Sequence, residues 1–326
     1  MNSTKILQYI MLMVSYIMMM SSNNWLMMWM SLEINLISFI PLLNNKNNLT
    51  SQNMMIYFLV QTLSSIMFLF TIMNNNIMNI NINQFINMIM MLSLMMKIGL
   101  PPFHLWMIIM INKMSGKNLF LLLTLQKIIP MMIISMIMNY NYIYMIIFSS
   151  IISAISGINQ TNLLKIMTYS SMNHSSWMLM SMLFESNMWI MYMIIYMIMM
   201  FMFCYKMNWY NIYYINQLQM NLMNYNKLII IMLMLSIGGL PPFIGFLPKW
   251  MIMQMMINLN MNMMMIIMLM SSLIILFFYM QIIMNMFMMN YNMMKFNYMY
   301  KKNSKMNSMM LIINITMPII LMMNLF

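Results

Sequence analysis

Four ionisable residues lie inside apolar stretches of the sequence, away from the ends of the helices that those stretches predict: Glu33, Lys97, Lys127 and Lys249. A charge at the centre of a bilayer costs roughly 2.5–3.5 kcal/mol on insertion scales, so such a residue marks a candidate functional site. Amines and carboxylates also bind and release protons when burial or a nearby charge shifts their proton affinity. The four residues therefore predict a buried proton path.

The local sequences suggest a separate role for each of these residues in the proton path. Nothing near Glu33 in the chain can neutralise it, and we expect it to form an ion pair with Lys97. Lys127 stands three residues before Pro130, where a bent helix favours a wet pocket. It could therefore load and lose a proton as the Glu33–Lys97 pair tightens or separates. The alternative for each lysine is that its long side chain reaches the membrane surface.

Two histidines and a second glutamate are weaker candidates. His174 follows a hydroxyl-rich run that includes Thr168 and Ser171 and could carry a chain of waters, so it is a secondary site. The alternative for His174 is a hydrogen bond between helices. His104, beside a helix break, is a weaker candidate, and Glu185 is expected to be a solvated turn residue.

A repeated motif marks two interrupted helices. Ile98-Gly-Leu-Pro-Pro-Phe103 recurs as Gly238-Gly-Leu-Pro-Pro-Phe243, in two apolar stretches that are too long for one straight span. A Pro-Pro pair after glycine breaks a helix, and freed backbone groups at membrane depth are tolerated only where they face protein or a wet cavity. Paired broken helices in two inverted halves are typical of a transport pathway. The alternative is a pair of packing kinks.

The composition excludes a water-soluble domain. Of 326 residues, 64% are hydrophobic and 5% are charged, against about 25% charged in soluble proteins. Long unalternated apolar runs favour helices over a barrel.

Methionine occurs 68 times, and amino acids with G-starting codons are scarce, which indicates a gene in an animal mitochondrion. A copper(I) site made of thioethers is the alternative explanation of the methionines. The single cysteine, Cys204, excludes an internal disulfide.

We predict an all-α polytopic membrane protein with about eleven transmembrane helices in a single domain, residues 1–326. The expected spans are 5–22, 25–43, 54–73, 84–111, 118–138, 140–158, 164–182, 187–206, 225–257, 262–289 and 307–325. The first repeat covers about 5–138, the second about 140–289, and the helix at 307–325 follows them.

With these spans, the eleven remaining lysines fall on one face of the membrane, which predicts a matrix N-terminus and an intermembrane-space C-terminus. This asymmetry absorbs most of the net charge of +12, so no nucleic-acid partner is expected.

Longer segments carry a family resemblance. The stretch from Trp25 through Glu33 to Pro41, and the stretch from Asn159 through Lys165 to His174, resemble subunit 2 of the NADH dehydrogenases of insect mitochondria, one of the antiporter-like subunits of respiratory complex I. The resemblance covers nearly the whole chain. It implies two inverted five-helix repeats, each with one broken helix, and a proton route through Glu33, Lys97, Lys127 and Lys249.

The resemblance also implies the setting of the protein. It implies a core proton-translocating subunit in the mitochondrial inner membrane, driven by quinone reduction elsewhere in the complex. This chain would bind no cofactor, whereas the complex uses FMN, iron-sulfur clusters and ubiquinone. Expected neighbours are antiporter-like subunit 4, the small subunits 4L and 6, and lipids such as cardiolipin. A free-standing cation/proton antiporter and a structural scaffold are the alternatives.

Overall fold

The regular structure of the protein is helical. The computed structural model describes residues 3–44, 48–75, 80–112, 114–184, 187–220, 224–288 and 304–315. Within these ranges the only strand-like pairing is an isolated bridge between Asn162 and Tyr214. The chain divides into two compact units, Met1–Tyr140 and Asn141–Phe326. The prediction of an all-α protein is confirmed.

The first unit contains seven α-helices in its described part. They are α1 Ser3–Ser21, α2 Trp25–Phe39, α3 Asn48–Asn75, α4 Ile80–Ile98, α5 Leu105–Ile111, α6 Gly116–Leu123 and α7 Leu125–Ile137, with a 3-10 turn at Ile40–Leu43 after α2. Helices α4 and α5 are the two halves of the first broken helix. Helices α6 and α7 are nearly continuous and are separated at Thr124, which has φ −117° and ψ −73°.

The second unit contains eight α-helices in the ranges that the structure describes. They are α8 Ile143–Gly157, α9 Leu163–Met182, α10 Met188–Tyr210, α11 Ile215–Met220, α12 Asn224–Gly238, α13 Phe246–Asn258, α14 Asn262–Met288 and α15 Ser304–Ile315. A 3-10 turn at Tyr140–Tyr142 includes the last residue of the first unit and precedes α8. Helices α12 and α13 are the halves of the second broken helix. The predicted end of the last helix, beyond 315, lies outside the described residues.

Within the described residues, seven stretches are long and apolar enough to cross a membrane. They are Ser3–Ser21, Trp25–Leu43, Ser51–Asn74, Gly116–Ile137, Tyr140–Gly157, Met188–Tyr210 and Asn262–Phe287. Shorter apolar helices occupy Phe85–Ile98 and Asn226–Gly238, each the first half of a broken helix. The eleven predicted spans add α9, the C-terminal helix and each broken helix as a whole. Those four additions remain predictions.

Helix α9 is polar for a membrane helix because protein surrounds it. Every residue of α9 except Lys165 is buried. Most of its hydroxyls donate to the carbonyl three residues earlier in the same helix, as Thr168 does to Lys165 at 2.7 Å and Ser176 does to Asn173 at 2.7 Å. Such bonds satisfy a buried hydroxyl locally. The sequence interpretation was that this hydroxyl-rich run could carry a chain of waters. In the structure, most of its hydroxyl groups instead donate their hydrogens to backbone carbonyls of α9 itself.

The two helix breaks have the same backbone geometry. Gly99 and Gly239 end α4 and α12 with φ values of 76° and 84°, a left-handed conformation in which a side chain is strained. The next amide donates to the carbonyl five residues earlier, Leu100 to Met95 at 3.1 Å and Leu240 to Leu235 at 3.3 Å. This is the Schellman ending of a helix. The repeated motif thus produces a repeated structure.

Candidate functional site: two helix breaks and the buried lysines

Each Pro-Pro pair frees two consecutive backbone carbonyls. In a continuous helix a carbonyl accepts from the amide four residues later, and proline has no amide hydrogen. Pro101 and Pro102 therefore leave the carbonyls of Lys97 and Ile98 without helical donors, and Pro241 and Pro242 do the same to Ile237 and Gly238. Buried carbonyls need other partners. The side chains that supply them define the candidate site.

At the first break a side-chain amide donates a hydrogen bond to one of these carbonyls. The side chain of Gln61, on α3, donates from Nε2 to the Lys97 carbonyl at 3.2 Å. Lys97 itself is only 6% exposed. In the part of the chain that the structure describes, its ammonium makes no hydrogen bond of its own. The donor at the first break is therefore the Gln61 amide, which does not titrate. The Lys97 ammonium is not used to satisfy a freed carbonyl.

Glu33 and Lys97 interact by charge without touching. The Glu33 carboxylate acts electrostatically on Lys97. Among the described residues, however, no ion pair joins them, and Glu33 Oε1 is buried without a hydrogen-bond partner. The direct contact expected from the sequence is thus replaced by a longer-range interaction. A buried carboxylate oxygen without a donor is costly, so this oxygen adds nothing to the stability of the fold.

Lys127 is the most deeply buried of the three candidate lysines, with 2% of its surface exposed. It lies in the first turn of α7, just after the interruption at Thr124, and its amide donates to the Thr124 carbonyl at 3.1 Å. The Thr124 hydroxyl in turn donates to Phe120 at 2.6 Å. The sequence placed the irregularity at Pro130, after Lys127, whereas the structure shows it at Thr124, before the lysine, and Pro130 lies inside α7.

A hydrogen-bonded bridge surrounds the residue before Lys127. The Tyr57 hydroxyl of α3 donates to Gln126 Oε1 at 3.0 Å, and Gln126 Nε2 donates to Asn35 Oδ1 of α2 at 3.1 Å. All three side chains are buried. Three helices of the first unit are therefore joined immediately beside Lys127.

At the second break both freed carbonyls are taken by titratable groups. Lys249, in the first turn of α13, donates from Nζ to the Gly238 carbonyl at 2.9 Å. His174 of α9 donates from Nε2 to the Ile237 carbonyl at 3.1 Å. Lys249 is 4% exposed. A cation near the carbonyl end of a helix is stabilised by the partial negative charge there, so the backbone supplies part of the counter-charge.

His174 can change its protonation state without losing its contacts. A carbonyl only accepts, so Nε2 carries a hydrogen in the bond to Ile237. The other nitrogen, Nδ1, lies 2.8 Å from the Tyr192 hydroxyl, which can donate to a neutral ring or accept from a protonated one. This arrangement suits a proton-binding group, and it equally suits a hydrogen bond between helices.

Close approach fixes the residue type at Gly239. A Cβ atom at this position would lie 2.7 Å from Lys249 Nζ, whereas a Cβ at Gly238 would meet nothing closer than Tyr279 at 3.5 Å. The lysine thus passes over the backbone at a position that is also in a left-handed conformation. Glycine is needed at 239 for both reasons.

The structure assigns the predicted residues to separate units. Glu33, Lys97 and Lys127 lie in the first unit, and Lys249 and His174 lie in the second. His104 precedes α5 and its Nδ1 lies 3.3 Å from the Pro102 carbonyl, and Glu185 lies outside the described residues. Within the described ranges no three His, Cys, Asp or Glu side chains cluster closely enough to hold a metal ion.

The sequence interpretation missed the polar side chains that hold these elements. Asn53, Tyr57 and Gln61 lie one turn apart on α3, and Asn53 Nδ2 donates to the Met110 carbonyl of α5 at 2.9 Å. Their spacing of four residues places them on one face of a helix. Such a polar stripe in an apolar helix was the signal that could have revealed them.

Comparisons with known proteins identify the family. Residues 22–275 match the family described as NADH:quinone oxidoreductase/Mrp antiporter, TM. The chain is 40% identical over 307 residues to NADH-ubiquinone oxidoreductase chain 2 of Anopheles gambiae, covering 90% of this chain and 89% of that protein. It is 38% identical over 293 residues to the same chain of Aedes aegypti, covering 87% and 86%.

The fold is also similar to that of a solved structure. A chain of respiratory complex I from Thermus thermophilus matches with a TM-score of 0.82 at 15% identity, covering 95% of this chain and 76% of that one. At this identity the likeness concerns the fold alone. Sequence and fold agree, and the chain belongs to the NADH:quinone oxidoreductase/Mrp antiporter family, among its NADH-ubiquinone oxidoreductase chain 2 members.

Proposed function

We propose that this chain is a proton-translocating core subunit of mitochondrial complex I, NADH:ubiquinone oxidoreductase. Protons would cross the inner membrane through Glu33, Lys97, Lys127 and Lys249, with His174 as a secondary site. The energy would come from electron transfer between NADH and ubiquinone elsewhere in the complex. The observation that carries the proposal is the burial of three lysines, at 6%, 2% and 4% exposure, in a chain of membrane helices.

The chemistry of the breaks supports this role. A buried ammonium is costly unless a charge or dipole stabilises it, and such groups in membrane proteins mark ion and proton pathways. Lys97 has a carboxylate in electrostatic reach and Lys249 has a helix carbonyl. Lys97 and Lys249 can therefore both be charged. Each has a neighbouring group whose movement away would favour release of the proton.

The proposal includes a topology and an assembly. We propose eleven transmembrane spans in two inverted five-helix repeats, with the N-terminus in the matrix and the C-terminus in the intermembrane space. The neighbours would be antiporter-like subunit 4, small subunits 4L and 6, and lipids such as cardiolipin. FMN, the iron-sulfur clusters and ubiquinone would be bound by other subunits. The names of the relatives and the shared fold support a place in this membrane arm.

Replacing Lys127 tests the proton path. In a homologous complex that can be mutated, we expect Lys127→Met to lower NADH-driven proton pumping by about 10²-fold or more, the usual effect of losing a proton-transfer group. Lys117→Met is the matched control, because Lys117 is an exposed lysine ten residues earlier in the same span. Turnover and protons per electron are measured in sealed vesicles. Unchanged values for Lys127→Met would refute the proposed path.

Co-migration separates this function from that of a free-standing cation/proton antiporter. On a native gel of mitochondrial membranes, the chain should run with NADH dehydrogenase activity. An autonomous antiporter would migrate separately. A dedicated sodium site would also need further buried carboxylates, and Glu33 is the only acidic residue in the described part of the chain.

A further inference from the structure

The side chain of Gln126 holds a position in the first unit that the proton path itself does not require. It accepts from Tyr57 at 3.0 Å and donates to Asn35 at 3.1 Å, so both ends of its amide are engaged. We call these three residues the amide clamp. A buried amide bonded at both ends has little freedom to rotate, and its partners lie on two different helices. The clamp therefore fixes Gln126 relative to α2 and α3.

The part of α7 that the clamp holds directly follows a helix interruption. The helix begins at Leu125, directly after the interruption at Thr124, so its first turn lacks a continuous helix before it. A second tyrosine acts at the same place, because the Tyr16 hydroxyl of α1 donates to the Leu125 carbonyl at 3.1 Å. Lys127 is the next residue along. Hydrogen bonds from α1, α2 and α3 thus converge on the two residues before the buried lysine.

Resting on the function proposed above, we propose that Gln126 is the positioning residue of Lys127. By holding the first turn of α7 at one rotation, the clamp sets where the Lys127 side chain leaves the helix. A shift of about 1 Å in a reacting group can lower a rate by about 10²-fold. A carboxamide has no titratable proton, so Gln126 orients the path without carrying the proton.

Asn118 provides a matched control in the same span. Both amides are 8% exposed, and Asn118 Nδ2 donates to the Leu42 carbonyl at 3.2 Å. Asn118→Leu and Gln126→Met each replace a buried amide by an apolar side chain of similar shape. Only the second change breaks the clamp.

The test uses the assembled homologous complex in sealed vesicles. We expect Gln126→Met to lower kcat per assembled complex by about tenfold or more, with the KM for ubiquinone unchanged. Tyr57→Phe should lower kcat less. The double variant should equal Gln126→Met alone, because Tyr57 acts through Gln126. Asn118→Leu should change neither constant, even if less complex assembles.

Several outcomes would overturn the proposal. A wild-type kcat for Gln126→Met, or additive effects in the double variant, would show that the clamp does not position Lys127. If Gln126→Met fails to assemble, Tyr57→Phe decides, since it removes a single oxygen atom, and a wild-type kcat for it rejects the clamp. Lys127→Met is measured in parallel. If Lys127→Met lowers pumping and the clamp variants do not, only the clamp is rejected; if Lys127→Met is neutral, the proposed function fails first.

Discussion

The two helix breaks have the same backbone and different side-chain chemistry. Both end in a left-handed glycine followed by a Pro-Pro pair, and both free two carbonyls. At the first break Gln61 bonds to one carbonyl, and Lys97 is left to interact with Glu33 by charge. At the second break His174 and Lys249 bond to both.

This difference indicates how each break responds to a proton. Loss of a proton from Lys97 would leave the Gln61 bond in place, so the backbone of the first break would be unaffected. Lys249 bonds directly to Gly238, and a neutral amine is a weaker donor to a carbonyl than an ammonium. We therefore expect the charge state of Lys249 to be coupled to the backbone of the second break, and that of Lys97 to the Glu33 carboxylate.

The largest expected effect comes from removing Lys249 at the second break, compared with removing Lys97 at the first. Lys249→Met removes a hydrogen bond from a charged group, worth about 1.5–3 kcal/mol, and leaves the Gly238 carbonyl without a donor. Lys97→Met, made together with Glu33→Gln so that no carboxylate is stranded, keeps the carbonyl bond from Gln61. We expect the lysine change at the second break to lower the temperature of half-inactivation of the homologous complex more than the paired change at the first break.

Lys165→Met is the control for that comparison, because Lys165 lies in the second unit and is not buried. It should leave the inactivation temperature unchanged. Equal destabilisation at the two breaks would show that both lysines support the backbone in the same way, and the comparison would fail.

A smaller effect is expected from adjacent glycines at the second break. Gly239→Ala forces a side chain into a left-handed conformation, at a cost of about 1–2 kcal/mol, and places Cβ against Lys249 Nζ. Gly238→Ala meets only an ordinary contact with Tyr279 at 3.5 Å. Thermal inactivation and proton pumping of the two variants are compared. Gly239→Ala should be impaired in both, and an equally impaired Gly238→Ala would contradict this account of the lysine passing over residue 239.

The smallest effect tests the donors at the equivalent carbonyls. Gln61→Met and His174→Met each remove one hydrogen bond, worth about 0.5–1.5 kcal/mol. His174→Gln offers a replacement donor that does not titrate, and should recover thermal stability. If His174 carries protons, turnover of His174→Gln stays low while stability returns. Recovery of both would identify His174 as a hydrogen bond between helices.

Much of the fold followed from local sequence. The apolar runs predicted the helices, and the repeated Gly-Leu-Pro-Pro predicted two breaks, because proline and glycine act on their own backbone regardless of the surroundings. The positions of α2, α9 and α14 agree with the predicted spans to within a few residues. Helix α9 was predicted despite its polar residues, which are accommodated because protein surrounds the helix.

The partners of the buried groups did not follow from the sequence. The expected Glu33–Lys97 ion pair is an interaction without contact, and the Lys249 partner is a backbone carbonyl. The stripe Asn53, Tyr57 and Gln61 was visible in the spacing, but its three acceptors lie on different helices. Residues distant in sequence meet only through packing, which no local pattern encodes.

The sequence by itself therefore determined that this is a membrane protein of helices with two breaks and a few buried charges. Those properties depend on composition, periodicity and the backbone chemistry of proline and glycine, which act over a few residues. The tertiary structure decided which group satisfies each freed carbonyl, and that Gln126 rather than a charged residue holds the turn before Lys127. Those choices depend on distances of a few ångströms between separate helices, and only the packed chain sets them.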